Sequence, residues 1–540
     1  MTATAPARRP ARHQAPPRGS ALTGTWSVLL LALRRDRLRL TIWIGAVILL
    51  VAYTPGALEL AYPDEAARIA RIDLLKTPAA MMLAGPMFGI NETDMGVMMA
   101  TELTLTLIVA ASILAVLTVL RHTRAEEESG AAELVLASVV GRDARTAAAL
   151  LLAAGVNAVL AALMTTALTL NGFAPLDSAG LALGVGAAAM VFAAVAAVTG
   201  QLWRQSRTAT GAALAVLAIA VLVRGVGDVI DSSGSALSWF SPIAWTQQMR
   251  PFADLRWWPL LLLVGLTMAL GALAAVLQNR RQYDAGTFPS TGERPNARPV
   301  GGVLGLHLTL QRGQVLGWSV GLFLAGLCVG SLTNSMLEAA EGNDLITRML
   351  AADGTDGVYT TMTQFLAAAA SAFTVAAVLR LAADERTGLA EPVLAGAVSR
   401  WRWLLTAVAA AVVGSTVLML AAGAGNGLGA GLALREPATV LRLTAAGLAY
   451  VPALVAMAGV AALAVALRLT WIGWAAVTFV VATLYLGALL RLPQWLIDLS
   501  PVGQITAPRD LSVLTLVALT AVGAVLTVLA GYLYRNRDAT

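Results

Sequence analysis

Glu126-Glu127-Glu128-Ser129-Gly130-Ala131-Ala132-Glu133-Leu134-Val135-Leu136-Ala137-Ser138-Val139-Val140-Gly141-Arg142 has a counterpart 258 residues later, Asp384-Glu385-Arg386-Thr387-Gly388-Leu389-Ala390-Glu391-Pro392-Val393-Leu394-Ala395-Gly396-Ala397-Val398-Ser399-Arg400. Glu, Gly, Ala, Glu, Val-Leu-Ala, Val and Arg recur in one register. The offset is close to half of the 540 residues, and each copy lies between two long apolar runs. The chain is therefore a duplication, and what it repeats between the apolar runs is a charged element.

Those runs decide the fold class. Hydrophobic residues make up 58% of the chain and charged ones only 13%, with a mean hydropathy of +0.74. Soluble domains carry about a quarter charged residues. Many runs here reach the roughly 20 residues that cross a bilayer. The expectation is an all-α polytopic membrane protein of about twelve transmembrane helices, two parallel six-helix repeats with interfacial elbow helices. Its spans fall near 40–58, 96–120, 146–170, 180–203, 209–229 and 257–277, then 315–337, 361–381, 403–424, 441–467, 471–490 and 511–534. The expected organisation is a disordered tail over 1–20, a first half over 21–277, a linker over 278–302 and a second half over 303–540.

Ahead of the first span, Ala21–Leu33 is too short to cross and ends in Arg34-Arg35-Asp36-Arg37. Four successive charges do not fit a cleaved signal peptide, and a helix lying in the interface fits better. His307–Gly313 repeats the feature before the seventh span. Arginines set the orientation. Arg121, Arg124, Arg142, Arg145, Arg204, Arg207, Arg280 and Arg281 fall on one side if spans alternate, and the second half obeys the same rule. That side is the cytoplasm, which puts both termini there. The net charge of +6 is thus a topology signal, not a nucleic-acid one. Six spans per half starting from the same side mean parallel repeats. A second echo, Ser241-Pro242 before the sixth span and Ser500-Pro501 before the twelfth, marks extracellular turns where proline is tolerated.

Gly130 and Gly388 interrupt the helix leaving the membrane. After each, the apolar spacing suits a two-turn helix, with acidic residues towards its N-terminus, where the macrodipole favours them. Such an element transmits a push from a soluble partner, or it is a hairpin with topogenic charges and no further duty. Single residues offer less. Lys76 is the only lysine and no phosphate-loop motif exists, so the chain is not itself a P-loop ATPase. His13, His122 and His307 lie far apart, Cys328 is alone, and no metal spacing occurs. Arg224 and Asp228 stand four apart in the fifth span, and Glu102 and Gln364 occupy nearly matching places in spans two and eight. Such groups mark a substrate or proton pathway, or a structural pair. Gly180-x-x-x-Gly184 and Gly186 suit close helix packing. The run Gly423–Gly431 reads as an extracellular turn, and Tyr62–Asp94 as a small helical gate or a loop without a duty.

Together, an elbow, six spans, Glu-x-x-Gly-x-x-Glu-x-x-Leu-Ala after the second span and a Ser-Pro turn before the sixth resemble the type-2 permeases of ABC exporters. The fused double-length form is similar to actinobacterial multidrug or polyketide-antibiotic exporter permeases. The resemblance implies a coupling helix that docks on the ATPase, placed at Glu126, Glu127, Gly130, Glu133 and Arg142, and at Asp384, Glu385, Gly388, Glu391 and Arg400. Pro392 and Arg386 stand where the first copy has Leu134 and Glu128, so the two sites are not equivalent. The resemblance further implies two copies of a separate ABC ATP-binding subunit carrying ATP and Mg, with no cofactor on this chain. An amphipathic compound would leave through a bacterial inner (plasma) membrane. Its path has Glu102, Arg224, Asp228 and Gln364 as candidates, and no nucleic acid is expected as a partner. An ion-gradient-driven transporter and a non-transport membrane assembly protein are the alternatives.

Overall fold

The sequence makes helices because apolar, helix-tolerant residues run without interruption for longer than a bilayer is thick, and a helix satisfies its own backbone there. A computed structural model describes residues 20–76, 78–86, 88–89, 93–130, 140–280, 301–333, 354–486, 493–508 and 511–535. Among them, eleven helices are long and apolar enough to cross a membrane, and a shorter apolar one spans Trp471–Leu484. The protein is an all-α, multi-pass membrane protein of about twelve helices. Backbone proximity divides it into two compact units, Met1–Pro63 with Met81–Gly292, and Asp64–Ala80 with Glu293–Thr540.

The first unit contains α1 (Thr25–Ala61), and α2 (Glu65–Leu75) and α3 (Pro78–Ala84) follow it in the chain. Next come α4 (Met95–Leu120), α5 (Ala144–Leu170), α6 (Pro175–Leu202), α7 (Ser206–Ile230), α8 (Pro242–Gln247) and α9 (Trp258–Arg280). The stretch expected as an elbow is continuous with the first span. At 37 residues, α1 is roughly 55 Å long, so its charged N-terminal turns outrun a hydrocarbon core of about 30 Å. The stretch between α1 and α4 holds two short helices, α2 and α3.

At the centre of this unit α6 packs against α4, α5, α7 and α9. Its buried face is rich in alanine (Ala188, Ala189, Ala193, Ala196, Ala197 among them) with Phe192 as the one large ring. Small side chains let the neighbouring backbones approach. Leu255 fills the space over Gly180, and Thr246 and Met249 that over Gly184.

The second unit contains α10 (Gly302–Ser331), α11 (Gly354–Arg386), α12 (Glu391–Leu394), α13 (Arg400–Leu434), α14 (Ala438–Leu448), α15 (Val451–Ala466), α16 (Trp471–Leu486), α17 (Gln494–Ile497) and α18 (Val513–Arg535). Here too the interfacial stretch, His307–Gly313, is continuous with the span that follows it.

The Gly423–Gly431 run is not a turn. It lies inside the 35-residue α13. Gly423 and Gly427 face α14, where a Cβ would come within 2.7 Å of the Leu443 and Val440 carbonyl oxygens. Gly425 and Gly429 face α10, with the Phe323 and Leu327 carbonyls 2.1 and 2.3 Å from such a Cβ. Gly330 of α10 answers them against the Asn426 carbonyl at 2.1 Å. The glycines therefore serve as two contact faces of one helix. On the tenth span, α14 gives way to α15 through Tyr450 and Pro452. The Tyr450 hydroxyl donates to the Ile505 carbonyl at 2.9 Å, which anchors the chain just after the Ser500-Pro501 turn.

Candidate functional site: the charged helix ends

Both copies of the repeated element begin with the same backbone event. Gly130 and Gly388 each have φ of 73°. Each donates its N–H to the carbonyl three residues back, Glu127 or Glu385, at 3.1 Å. Glycine is the residue for which a left-handed turn at a helix C-terminus costs nothing sterically. The two helices, α4 with its extension to Glu128 and α11, are stopped in the same way.

In the first unit the side chains around that stop form a buried ionic network. After Leu120 the helix widens into a π turn over Arg121–Ala125, a feature that often marks functional sites. Glu127 receives Arg124 Nη1 and Arg145 Nη2, both at 2.6 Å. All three side chains are at most 7% exposed. Arg124 also donates Nε to the Arg204 carbonyl, between α6 and α7, at 2.5 Å. Asp36 of α1, itself buried, meets Arg121 Nε at 3.0 Å, His122 Nε2 at 3.0 Å and Arg39 Nη1 at 3.2 Å. His122 Nδ1 and Arg35 both reach Glu126 at 3.2 Å. Glu128 accepts the Ser206 N–H and hydroxyl at the start of α7.

Beyond the element, Arg142 Nη2 donates to the Gln278 carbonyl at 2.6 Å, and Gln278 Nε2 returns a bond to the Arg142 carbonyl at 2.9 Å. Charge-assisted bonds of this kind are the stronger ones. Together they tie the ends of α1, α4, α5, α7 and α9 to one another. Gly141 lies against residues 20–23: its N–H donates to the Thr23 carbonyl, and a Cβ would fall 2.2 Å from the Ala21 oxygen.

The second copy keeps the backbone and changes the partners. Glu385 accepts the hydroxyl of the buried Tyr534. Arg380 Nε approaches Asp384 at 3.7 Å, an i,i+4 pair at the positions of His122 and Glu126. Arg380 also donates to the Leu310 carbonyl of α10 at 3.2 Å. Glu391 opens the short α12 on an exposed face, with Pro392 in the first turn, where a missing N–H is no loss. Ser399 caps α13 by accepting the Arg402 N–H at 3.2 Å, and Arg400 starts that helix. Glu133 lies outside the described residues.

The intramembrane candidates are placed apart from these ends. Arg224 and Asp228 pair at 3.2 Å on α7, fully buried. Arg224 Nη2 also donates to the Met82 carbonyl of α3 at 2.7 Å, and Asp228 accepts the Ser238 hydroxyl at 2.7 Å. Gln364 of α11 donates to the Ile505 carbonyl at 3.0 Å, and Glu102 is half-buried on α4. Arg224, Asp228 and Gln364 thus each reach a segment outside their own helix, at Met82, Ser238 and Ile505. Sequence reasoning missed Asp36, His122, Arg124, Arg145 and Gln278. The one available signal was Asp36, an acid among arginines that can be satisfied only by neighbours.

The sequence matches the family described as "Multidrug efflux system permease Rv1217c, C-terminal domain" over residues 26–277 and 300–535. The "Multidrug efflux system permease protein Rv1217c" of Mycobacterium tuberculosis (strain ATCC 25618 / H37Rv) is 38% identical over 551 aligned residues, covering 98% of each chain. The match extends through both copies of the charged element, and the chain belongs to the Rv1217c family of multidrug efflux system permeases.

Proposed function

We propose that this permease is the membrane subunit of an ATP-driven exporter of hydrophobic or amphipathic compounds. A separate ATP-binding-cassette ATPase, in two copies, supplies the energy, with ATP and Mg held on that partner. It docks at the two charged elements, on the cytoplasmic side of a bacterial inner membrane, where both termini also lie. ATP-driven closure of the ATPase pair pushes on the helix ends after Gly130 and Gly388, and the spans rock to release the compound outward. The chain provides the transport path and hydrolyses no ATP itself.

The observation that carries this reading is the doubled, glycine-stopped helix end on a chain without a phosphate-loop motif. The first-copy stop is welded to four other helix ends, so a displacement there reaches the spans rather than dissipating locally. The name of the Mycobacterium tuberculosis relative supports efflux of several drugs. An ion-driven mechanism would need a titrating acid in the spans; Asp228 is engaged by Arg224 and Ser238, which leaves Glu102 as its candidate.

The test is co-purification with the ATP-binding-cassette subunit and measurement of ATP turnover. Charge reversal at Glu133 and Glu391 together is expected to abolish assembly and turnover while leaving the chain folded. Unchanged assembly and turnover would overturn the docking assignment, and transport without any ATPase would overturn the energy source.

A further inference from the structure

The repeated arginine has two different fates. In the first unit Arg142 reaches the last turns of α9 and donates to the Gln278 carbonyl at 2.6 Å. In the second unit its counterpart Arg400 lines an open groove of about 600 Å³ between the start of α13 and the last turns of α18. Ser399, Trp401, Val528, Tyr532 and Arg535 complete the lining. Neither Arg400 nor Arg535 has an acidic partner among the described residues. Trp401 makes the room: its ring lies over Gly531, where a Cβ would come 2.0 Å from Cζ3. At the matching place the first unit has Asp143, whose N–H is bonded to the Ala21 carbonyl at 3.0 Å. That place is therefore closed by the protein's own chain.

Two guanidiniums, an indole and a phenol at the ends of two spanning helices are the groups that recognise a phosphate at headgroup depth. Val528 lies seven residues before Arg535, about 10 Å deeper along the helix, at a depth suited to an acyl chain. The geometry points to a binding site for one anionic phospholipid in this groove, its phosphodiester between Arg400 and Arg535, its glycerol end over Trp401 and Tyr532, and a chain along Val528. This goes beyond the transport reading and does not rest on it.

Full-length protein, stripped of lipid in detergent, is titrated with phosphatidylglycerol or with phosphatidylcholine and read by native mass spectrometry. The wild type is expected to hold phosphatidylglycerol at one site more than phosphatidylcholine. Arg400→Gln with Arg535→Gln should weaken that site about thirtyfold, at ~1 kcal/mol per arginine near an anionic headgroup. Val528→Trp fills the groove while keeping both charges, and should also remove the bound lipid. Because it keeps the arginines, it decides the matter if the double variant fails to elute as a single species. Retention of phosphatidylglycerol in Val528→Trp would overturn the proposal. Binding of inorganic phosphate that excludes phosphatidylglycerol would overturn it too, by assigning the arginines to a free anion. Lipid binding is read without any ATPase, so its failure leaves the exporter assignment standing, and the converse also holds.

Discussion

Replacing Glu127 by alanine should damage this protein far more than replacing Glu385, although the two occupy one position of the repeat. Glu127 is bonded to two guanidiniums at 2.6 Å, and Arg124 and Arg145 are as buried as the carboxylate between them. Without it, two buried positive charges face each other. Removing one partner of a buried ion pair costs about 3–5 kcal/mol, because the charge left behind is uncompensated. Glu385 accepts a neutral phenol from Tyr534, which is fully buried. Leaving one buried hydroxyl unsatisfied costs about 1–3 kcal/mol. Thermal unfolding of the purified permease in detergent, followed by tryptophan fluorescence, should rank wild type above Glu385→Ala and Glu385→Ala well above Glu127→Ala. A third variant separates charge from packing: Glu127→Leu with Arg124→Met and Arg145→Met should recover most of the loss, since apolar replacement of a buried ion cluster is often neutral. If Glu127→Ala unfolds no earlier than Glu385→Ala, the buried network is not what holds this helix end.

Five further variants probe single contacts. Gly330→Ala puts a methyl 2.1 Å from the Asn426 carbonyl and should destabilise by about 1–3 kcal/mol through overpacking. Gly211→Ala on α7, with nothing within 4 Å, should be neutral or stabilise by up to about 1 kcal/mol; the same unfolding assay reads both. Gly141→Ala should expel residues 20–23 from their place against the start of α5, seen as faster proteolysis near Thr23, whereas Ser399→Ala in the other copy should cost only about 1 kcal/mol of capping. Asp228→Asn keeps an acceptor for Ser238 but leaves the buried Arg224 without its counter-charge, so the variant should unfold earlier than wild type while the protein that folds still transports drug in the assembled exporter. Abolished transport in a folded Asp228→Asn protein would show that this carboxylate works in the cycle.

The spans were legible because a helix in hydrocarbon is decided by local apolarity and length, and both are written in consecutive residues. The helix stops at Gly130 and Gly388 were legible for the same reason, since a left-handed turn is a local property of glycine. Gly423–Gly431 was misread because glycine serves two purposes, turning the chain and admitting a neighbouring backbone. What decides between them is packing against α10, distant in sequence, and against α14, which folds back directly after α13. The elbow at 21–33 was read as separate because its apolar run is short. Yet nothing after it breaks a helix, and arginines at an interface are compatible with continuous helix. The partners of Glu127 were not legible. Arg145 comes from α5, and the carbonyl of Arg204, which fixes Arg124, comes from the connection between α6 and α7.

Backbone symmetry and side-chain asymmetry at the repeat call for one explanation. A duplicated element keeps what is local, and the shared φ of 73° at both glycines is that local inheritance. Its surroundings are supplied by other helices, and these differ. In the first unit, chain at 20–23, α1 and α9 contribute Ala21, Asp36 and Gln278, so Gly141 must lack a side chain and Arg142 is consumed by a carbonyl. In the second unit position 399 is a serine that caps α13, and Arg400 is left facing a groove. A rigid first stop and an exposed Glu391 on the second are therefore consequences of what surrounds each copy. Under the exporter reading proposed above, a symmetric ATPase pair would meet two unlike docking points. The second, where Glu391 is exposed, is then one where changes at the surface should alter coupling with little cost to folding.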